Sequence, residues 1–177
     1  QARYLEQYAR CPVYSNTDTR YFPLGDDAFP VMLEELKKAE KYIFLEYFII
    51  APGVFWDSIV EVLKEKHAAG VDVRVIYDDV GSLNTLPMNY ARKFEAETGI
   101  PCCFFNRFLP LISIRMNNRD HRKFCIIDGH TAFTGGINLA DEYINQKLRF
   151  GHWKDSAILL KGEAAWSMTV MFLTMWE

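Results

Sequence analysis

At 177 residues, half of them hydrophobic and 24% charged, the chain is long enough to bury one core and has ordinary globular composition. A formal net charge of −3 gives no general attraction to nucleic acid, whose binders carry a basic excess. No secretory leader opens the sequence and no apolar run approaches the ~20 residues that span a bilayer, so the piece itself is expected to be soluble.

In chain order, residues 1–20 read as a lead-in and residues 21–177 as one domain. Asp26 to Lys41 has the spacing of an amphipathic helix, with Phe29, Met32, Leu33 and Leu36 on one face. Tyr42 to Ile50 is a mostly apolar run suited to a buried strand. Phe55 to Ala69 is helical again and stops at Gly70, and Val71 to Tyr77 alternates as a strand. Pro87 to Thr98 predicts a helix ended by Gly99, followed by a short strand from Ile100 to Phe105. After that the style changes. Arg122 to Ile127 is a strand, Asp128-Gly129-His130 a tight turn, and Thr131 to Thr134 a returning strand. Gly135-Gly136 leads into a loop or short helix over Asn138 to Ile144, Ser156 to Leu160 is a further strand, and the chain ends in an apolar helix. Strands alternating with helices predict an α/β domain with a mixed, largely parallel sheet flanked by helices. The final run stays apolar on most sides and Gln1 is not an initiator methionine, so both ends are expected to be cut from a longer chain.

The chemistry concentrates in His121-Arg122-Lys123-Phe124-Cys125-Ile126-Ile127-Asp128 and in Gly135-Gly136-Ile137-Asn138. Residues two apart on a strand project from one face, which puts His121 beside Lys123. An imidazole with a pKa near ~6.5 is largely neutral at pH 7 and can attack phosphorus. An ammonium beside it supplies charge for phosphate oxygens, and Asn138, behind a glycine pair that lets backbone approach closely, can add its amide. Such a set suits covalent phosphoryl chemistry without a metal or cofactor. Any one of these features alone reads as ordinary surface or a hairpin turn.

Together they fulfil H-x-K-x4-D-x6-G-[GS]-x-N, and the chain thereby resembles the phospholipase D superfamily. The flanking Asn118 to Lys123, Thr134 to Tyr143 and Gly151 to Ser156 are similar to bacterial cardiolipin synthases, and the resemblance runs from about Tyr21 to the C-terminus. It implies catalytic roles for His121, Lys123 and Asp128, phosphate binding by Asn138 and Gly136, and a phosphohistidine intermediate. The implied reaction joins two phosphatidylglycerols and releases glycerol. It also implies two motifs per site, whereas this sequence has one; His67 and His130 lack a lysine two residues on, and His152-Trp153-Lys154 is not followed by the aspartate and glycines of the motif. A second motif-bearing domain or subunit is therefore an expected partner, along with a phospholipid and, for the full-length protein, the cytoplasmic face of the cell membrane. The alternatives are a one-motif phosphodiesterase or nuclease working as a homodimer, and an inactive assembly domain.

Further readings concern residues within the motif and elsewhere in the chain. Asp128 lies an odd number of residues from His121, so on a regular strand it points away and can brace the turn instead. Asp155 is then the candidate to orient the imidazole, with a plain surface aspartate as the alternative. Phe104 to Met116 is unusually apolar and flanked internally by Arg107 and Arg115; it is either buried or a membrane-facing segment. Cys11, Cys102, Cys103 and Cys125 show no metal spacing and read as reduced, mostly buried thiols.

Overall fold

Apart from Glu46, Tyr42–Tyr47 is apolar or aromatic at every position, and the strand these residues form lies inside a sheet covered on both sides. The computed structural model describes residues 2–8, 12–107 and 117–176. Among them are seven strands: β1 (Thr17–Phe22), β2 (Tyr42–Tyr47), β3 (Asp72–Asp78), β4 (Cys102–Phe105), β5 (Lys123–Ile127), β6 (Thr131–Gly135) and β7 (Ala157–Gly162). They form one sheet in the order β1-β7-β6-β5-β2-β3-β4. The helices are α1 (Ala2–Tyr8), α2 (Gly25–Leu36), α3 (Val54–Ala68), α4 (Tyr90–Thr98) and α5 (Ala164–Trp176), with a 3-10 turn at Asp141–Ile144.

The α/β class and the mixed sheet agree with the sequence reading, but the sheet is not largely parallel. Only β2–β3 and β3–β4 are parallel, each joined by a helical crossover. The pairs β1–β7, β7–β6, β6–β5 and β5–β2 are antiparallel. One of these pairs has a local cause: Asp128 and Gly129 adopt φ of 52° and 73°, so the chain reverses in a tight turn between β5 and β6 and has no room for a crossover there. The sheet also takes in β1, whose residues the sequence reading places mostly in the lead-in.

Side-chain alternation divides the interior. Ile43, Leu45 and Tyr47 join Cys125 and Ile127 in a core under α2 and α3. Phe44 faces the other way with Phe124 and Ile126, under α5, where its ring stacks on Phe172 at 4.6 Å between centroids. Cys102 packs toward the first core and Cys103 toward the second, as strand alternation requires. The predicted helix over Asp26 to Lys41 ends at Leu36 because the N–H groups of Glu40, Lys41 and Tyr42 are engaged elsewhere: all three donate to the Asp128 carboxylate, at 2.9, 2.7 and 2.8 Å. Of the apolar Phe104 to Met116 stretch, Phe104 and Phe105 lie in β4, while residues 108–116 lie outside the described residues. Among the described residues no helix is long and apolar enough to cross a membrane.

Candidate active site

β5 runs antiparallel to β2, with Lys123 opposite Tyr47, so the start of β5 meets the carboxyl end of β2. That end of a sheet is where α/β folds place their ligands. Lys123 points into the α2/α3 side and is 4% exposed. Its Nζ donates to the carbonyl of His121 at 2.6 Å and stands 5.2 Å from the Phe48 ring centroid. The exposed His121 imidazole lies against the same ring, 4.6 Å between centroids. Phe48, the first residue beyond β2, thus contacts both members of the His-x-Lys pair.

Among the described residues Lys123 has no carboxylate within ion-pair distance. Burial drives its pKa down to about 8, against the smaller upward pull of Asp120, Asp155 and Asp78. A buried ammonium without a paired anion is an incomplete electrostatic unit, and a phosphate oxygen would complete it.

The glycine-led loop is held to the segment after β2 by two side chains. Asn138, 3% exposed, accepts the Ile49 N–H at 2.9 Å and donates to the Tyr143 hydroxyl at 2.8 Å. Asp141 accepts the N–H groups of Val54 and Phe55, at 3.0 and 2.9 Å, capping α3 from outside the helix. The backbone continues the attachment, with Leu139 and Ile49–Ala51 exchanging bonds of 3.1 and 2.9 Å. His121 and Lys123 therefore meet at Phe48 and Asn138 joins at Ile49, one peptide on. The Asn138 amide carries a second hydrogen beyond the one given to Tyr143.

Gly136 donates its N–H to the Ser156 carbonyl at 3.0 Å, and a Cβ there would fall 2.0 Å from Asp155 Oδ1. A side chain at 136 would displace the Asp155 carboxylate from the space it occupies. Asp155 accepts the Ser156 N–H at 2.8 Å and forms no hydrogen bond to the His121 ring among the described residues. Its charge reaches Lys123 and Tyr143.

Asp128 stands apart from His121 and Lys123. It sits at the far end of β5, where its carboxylate takes the three N–H groups entering β2 while its own N–H donates to the Tyr42 carbonyl at 3.0 Å. It staples the hairpin to β2. The open cavity of about 400 Å³ beside it, lined by Glu35, Lys38, Asp128, His130 and Lys161 among others, holds no unpaired lysine: both lysines reach Glu35, at 2.7 and 2.8 Å.

Sequence reasoning missed a carboxylate-guanidinium cluster on the other side of the sheet. Glu46, in β2, is fully buried and faces Phe124 rather than Lys123. Arg122 Nε lies 2.9 Å from Glu46 Oε1 and 2.8 Å from Asp120 Oδ1, and its N–H is aimed at Asp120, so neither Glu46 oxygen receives a donor. Burial first, and the adjacent Asp120 second, push the Glu46 carboxyl up to about 9. One guanidinium cannot neutralise two carboxylates, and a protonated Glu46 restores the balance. Asp78, also buried, accepts the Asp120 N–H at 3.0 Å and the Arg119 guanidinium at 3.4 Å. These contacts fix residues 119–122, the segment that carries His121 beside an open cleft of about 520 Å³. A glutamate inside the apolar run Tyr42 to Ile50 was the available signal.

Residues 32–176 match the family model described as "Cardiolipin synthase, PLD-like domain". The chain belongs to that family. This phospholipase D-like domain is 37% identical over 162 residues to cardiolipin synthase 1 of Staphylococcus aureus, covering 92% of the chain and 32% of that protein. It is 51% identical over 176 residues to an uncharacterized protein of Streptococcus mutans, covering 99% of the chain and 38% of the relative. The domain thus spans about a third of the length of the curated relatives it matches. Its fold is shared with Nuc of Salmonella typhimurium, a phospholipase D family member, at a TM-score of 0.65 and 22% identity, covering 91% of this chain and 93% of that one. NucT of Helicobacter pylori superposes with a TM-score of 0.69 at 14% identity, covering 91% and 96%.

Proposed function

We propose that this domain supplies one half of a phosphatidyltransferase site that joins two phosphatidylglycerols. The observation that carries the reading is the buried Lys123 ammonium, which has no carboxylate within ion-pair distance among the described residues and donates to the backbone carbonyl of His121. In the first step a ring nitrogen of one histidine attacks phosphorus and the bond from phosphorus to the glycerol oxygen breaks. Glycerol leaves with a proton from the second histidine. In the second step the hydroxyl of another phosphatidylglycerol gives its proton to that histidine and attacks phosphorus, and the imidazole is displaced. His121 takes one of the two roles; Lys123 and the amide of Asn138 hold the non-bridging oxygens, with Gly136 letting the backbone come close. The other histidine comes from a second motif, in a further domain of the full-length protein or in a second subunit. The membrane face follows from the substrate.

The test is to incubate the full-length protein with phosphatidylglycerol and measure cardiolipin and glycerol. Both products in equal amounts are expected, and H121A is expected to lower the rate by at least ~10³-fold, in line with loss of a covalent nucleophile or its proton donor. Full activity in H121A would overturn the reading. Asp155→Asn is expected to lower turnover more than stability if its charge orients the site; unchanged turnover rules that out.

A second reading has one observation in its favour. The match to Nuc and NucT spans nearly all of those short chains, so a fold of this length can stand as a complete chain. A diesterase completed by homodimerisation would then show a dimer in light scattering together with activity of the 177-residue chain alone.

A further inference from the structure

The three most exposed large hydrophobic side chains among the described residues are Met88 at 85%, Leu148 at 82% and Phe150 at 77%. All three stand at the end of the sheet that bears His121. Met88 lies in the connection leaving β3, which runs parallel to β2 toward that end. Leu148 and Phe150 lie between the 3-10 turn and β7, and β7 begins opposite Gly135, the last residue of β6. Since β5 and β2 separate β6 from β3, the two apolar outcrops flank the site.

The outcrop at Leu148 is a built loop. Asn145 closes its base, accepting the Trp153 N–H at 2.7 Å and donating to the Trp153 carbonyl at 3.1 Å. Beyond that clamp, Lys147, Arg149, His152 and Lys154 alternate with the exposed apolar residues, and no acid occurs between Lys147 and Lys154 in a chain whose formal charge is −3. Arg149 is held upright by Glu142 at 2.9 Å, and its guanidinium stands 5.1 Å from the Phe150 ring. Phe150 in turn contacts Trp153 at 6.2 Å, and Trp153 contacts Tyr143 at 4.9 Å, the residue whose hydroxyl takes the Asn138 amide.

We propose that the Lys147–Lys154 loop, with Met88 across the site, is a bilayer-docking edge that inserts Leu148 and Phe150 at the headgroup boundary of an anionic membrane. Isolated apolar tips alternating with cations fit an interface with phosphates above and acyl chains below, whereas a protein-binding patch is a continuous apolar area. Seated this way, the protein presents His121 to the headgroup layer. The proposal extends the phospholipid reading of the site, but its test needs no turnover.

The experiment is flotation of the 177-residue chain with vesicles of phosphatidylcholine alone, or of phosphatidylcholine and phosphatidylglycerol in equal parts. Preference for the anionic vesicles is expected. L148S/F150S should weaken binding about tenfold or more, from the apolar area withdrawn, and K147Q/K154Q about fivefold per charge removed. V170S on α5, at the other face, should bind like the parent. In L148W the added indole should be quenched by lipids with brominated chains. Undiminished binding by L148S/F150S, equal binding to neutral vesicles, or no binding to either overturns the proposal. So does a chain that ignores vesicles but dimerises through this loop, shown by loss of the dimer in L148S/F150S. Vesicle binding without phosphatidyl transfer by the full-length protein would instead sink the transferase reading and leave the docking edge standing.

Discussion

Lys123 and Glu46 lie on neighbouring strands and point to opposite faces, and each is buried with its charge poorly matched. Their titrations have opposite consequences. The folded-state pKa of Lys123 is depressed to about 8 from an ordinary 10.5. Burying the charged form therefore costs stability fully below pH 8, and the cost fades as the pH rises toward 10.5, where the unfolded chain also loses the proton. Lys123→Met is accordingly expected to melt higher than the parent below pH 8, with the gain shrinking by pH 10, while phosphatidyl transfer is lost. In the parent, kcat/KM is expected to fall on the alkaline side of pH 8 as the ammonium deprotonates. Glu46 is the converse case. Its folded pKa is raised from 4.5 to about 9, so its contribution is fully present below pH 4.5 and is lost as the pH climbs through 9. Glu46→Gln, which mimics the protonated acid, should gain stability relative to the parent across that window. Thermal melts at several pH values check both, and a pH-independent difference for either variant would contradict its assignment.

The elements explain how far the sequence could be read. The turn at Asp128 followed from its residue types, whereas His121 precedes β5 and meets Lys123 through its backbone carbonyl and the Phe48 ring. The mainly antiparallel sheet, β1, and the early end of α2 were not legible, since each depends on a partner distant in sequence: β7 for β1, and Asp128 for the residues after α2. Glu46 reads as an anomaly in an apolar run until Arg122 and Asp120 are brought beside it. Asp128 is a motif residue whose observed contacts brace the entry to β2. Replacing it with Ala leaves three N–H groups without their acceptor and should destabilise the chain by about 2–4 kcal/mol, at roughly 1 kcal/mol or more for each hydrogen bond to a charged group. Denaturant titration measures this, and the remaining folded protein should retain the spectroscopic signature of the parent.

For the whole molecule, the family is established over residues 32–176, while the assembly that completes the site is a proposal. The domain covers about a third of its curated relatives, and it contributes a single complete H-x-K-x4-D motif. Size and activity measured together discriminate the arrangements. If a second domain in the full-length chain completes the site, the 177-residue chain is expected to be inert while the full-length protein is active as a monomer. If two copies complete it, activity of the short chain should rise with the square of concentration below the dimer dissociation constant and become linear above it.

The fit between Gly136 and Asp155 also bears on how sequences of this kind can change. The motif admits glycine or serine at the position of Gly136, yet here any β-carbon would collide with the acid's oxygen. A chain bearing serine there has to turn its acid aside, so the rotamer of the acid is tied to the residue 19 positions earlier. In this chain G136S is expected to move the Asp155 carboxylate off the Ser156 N–H, a shift that the chemical shift of that amide would report.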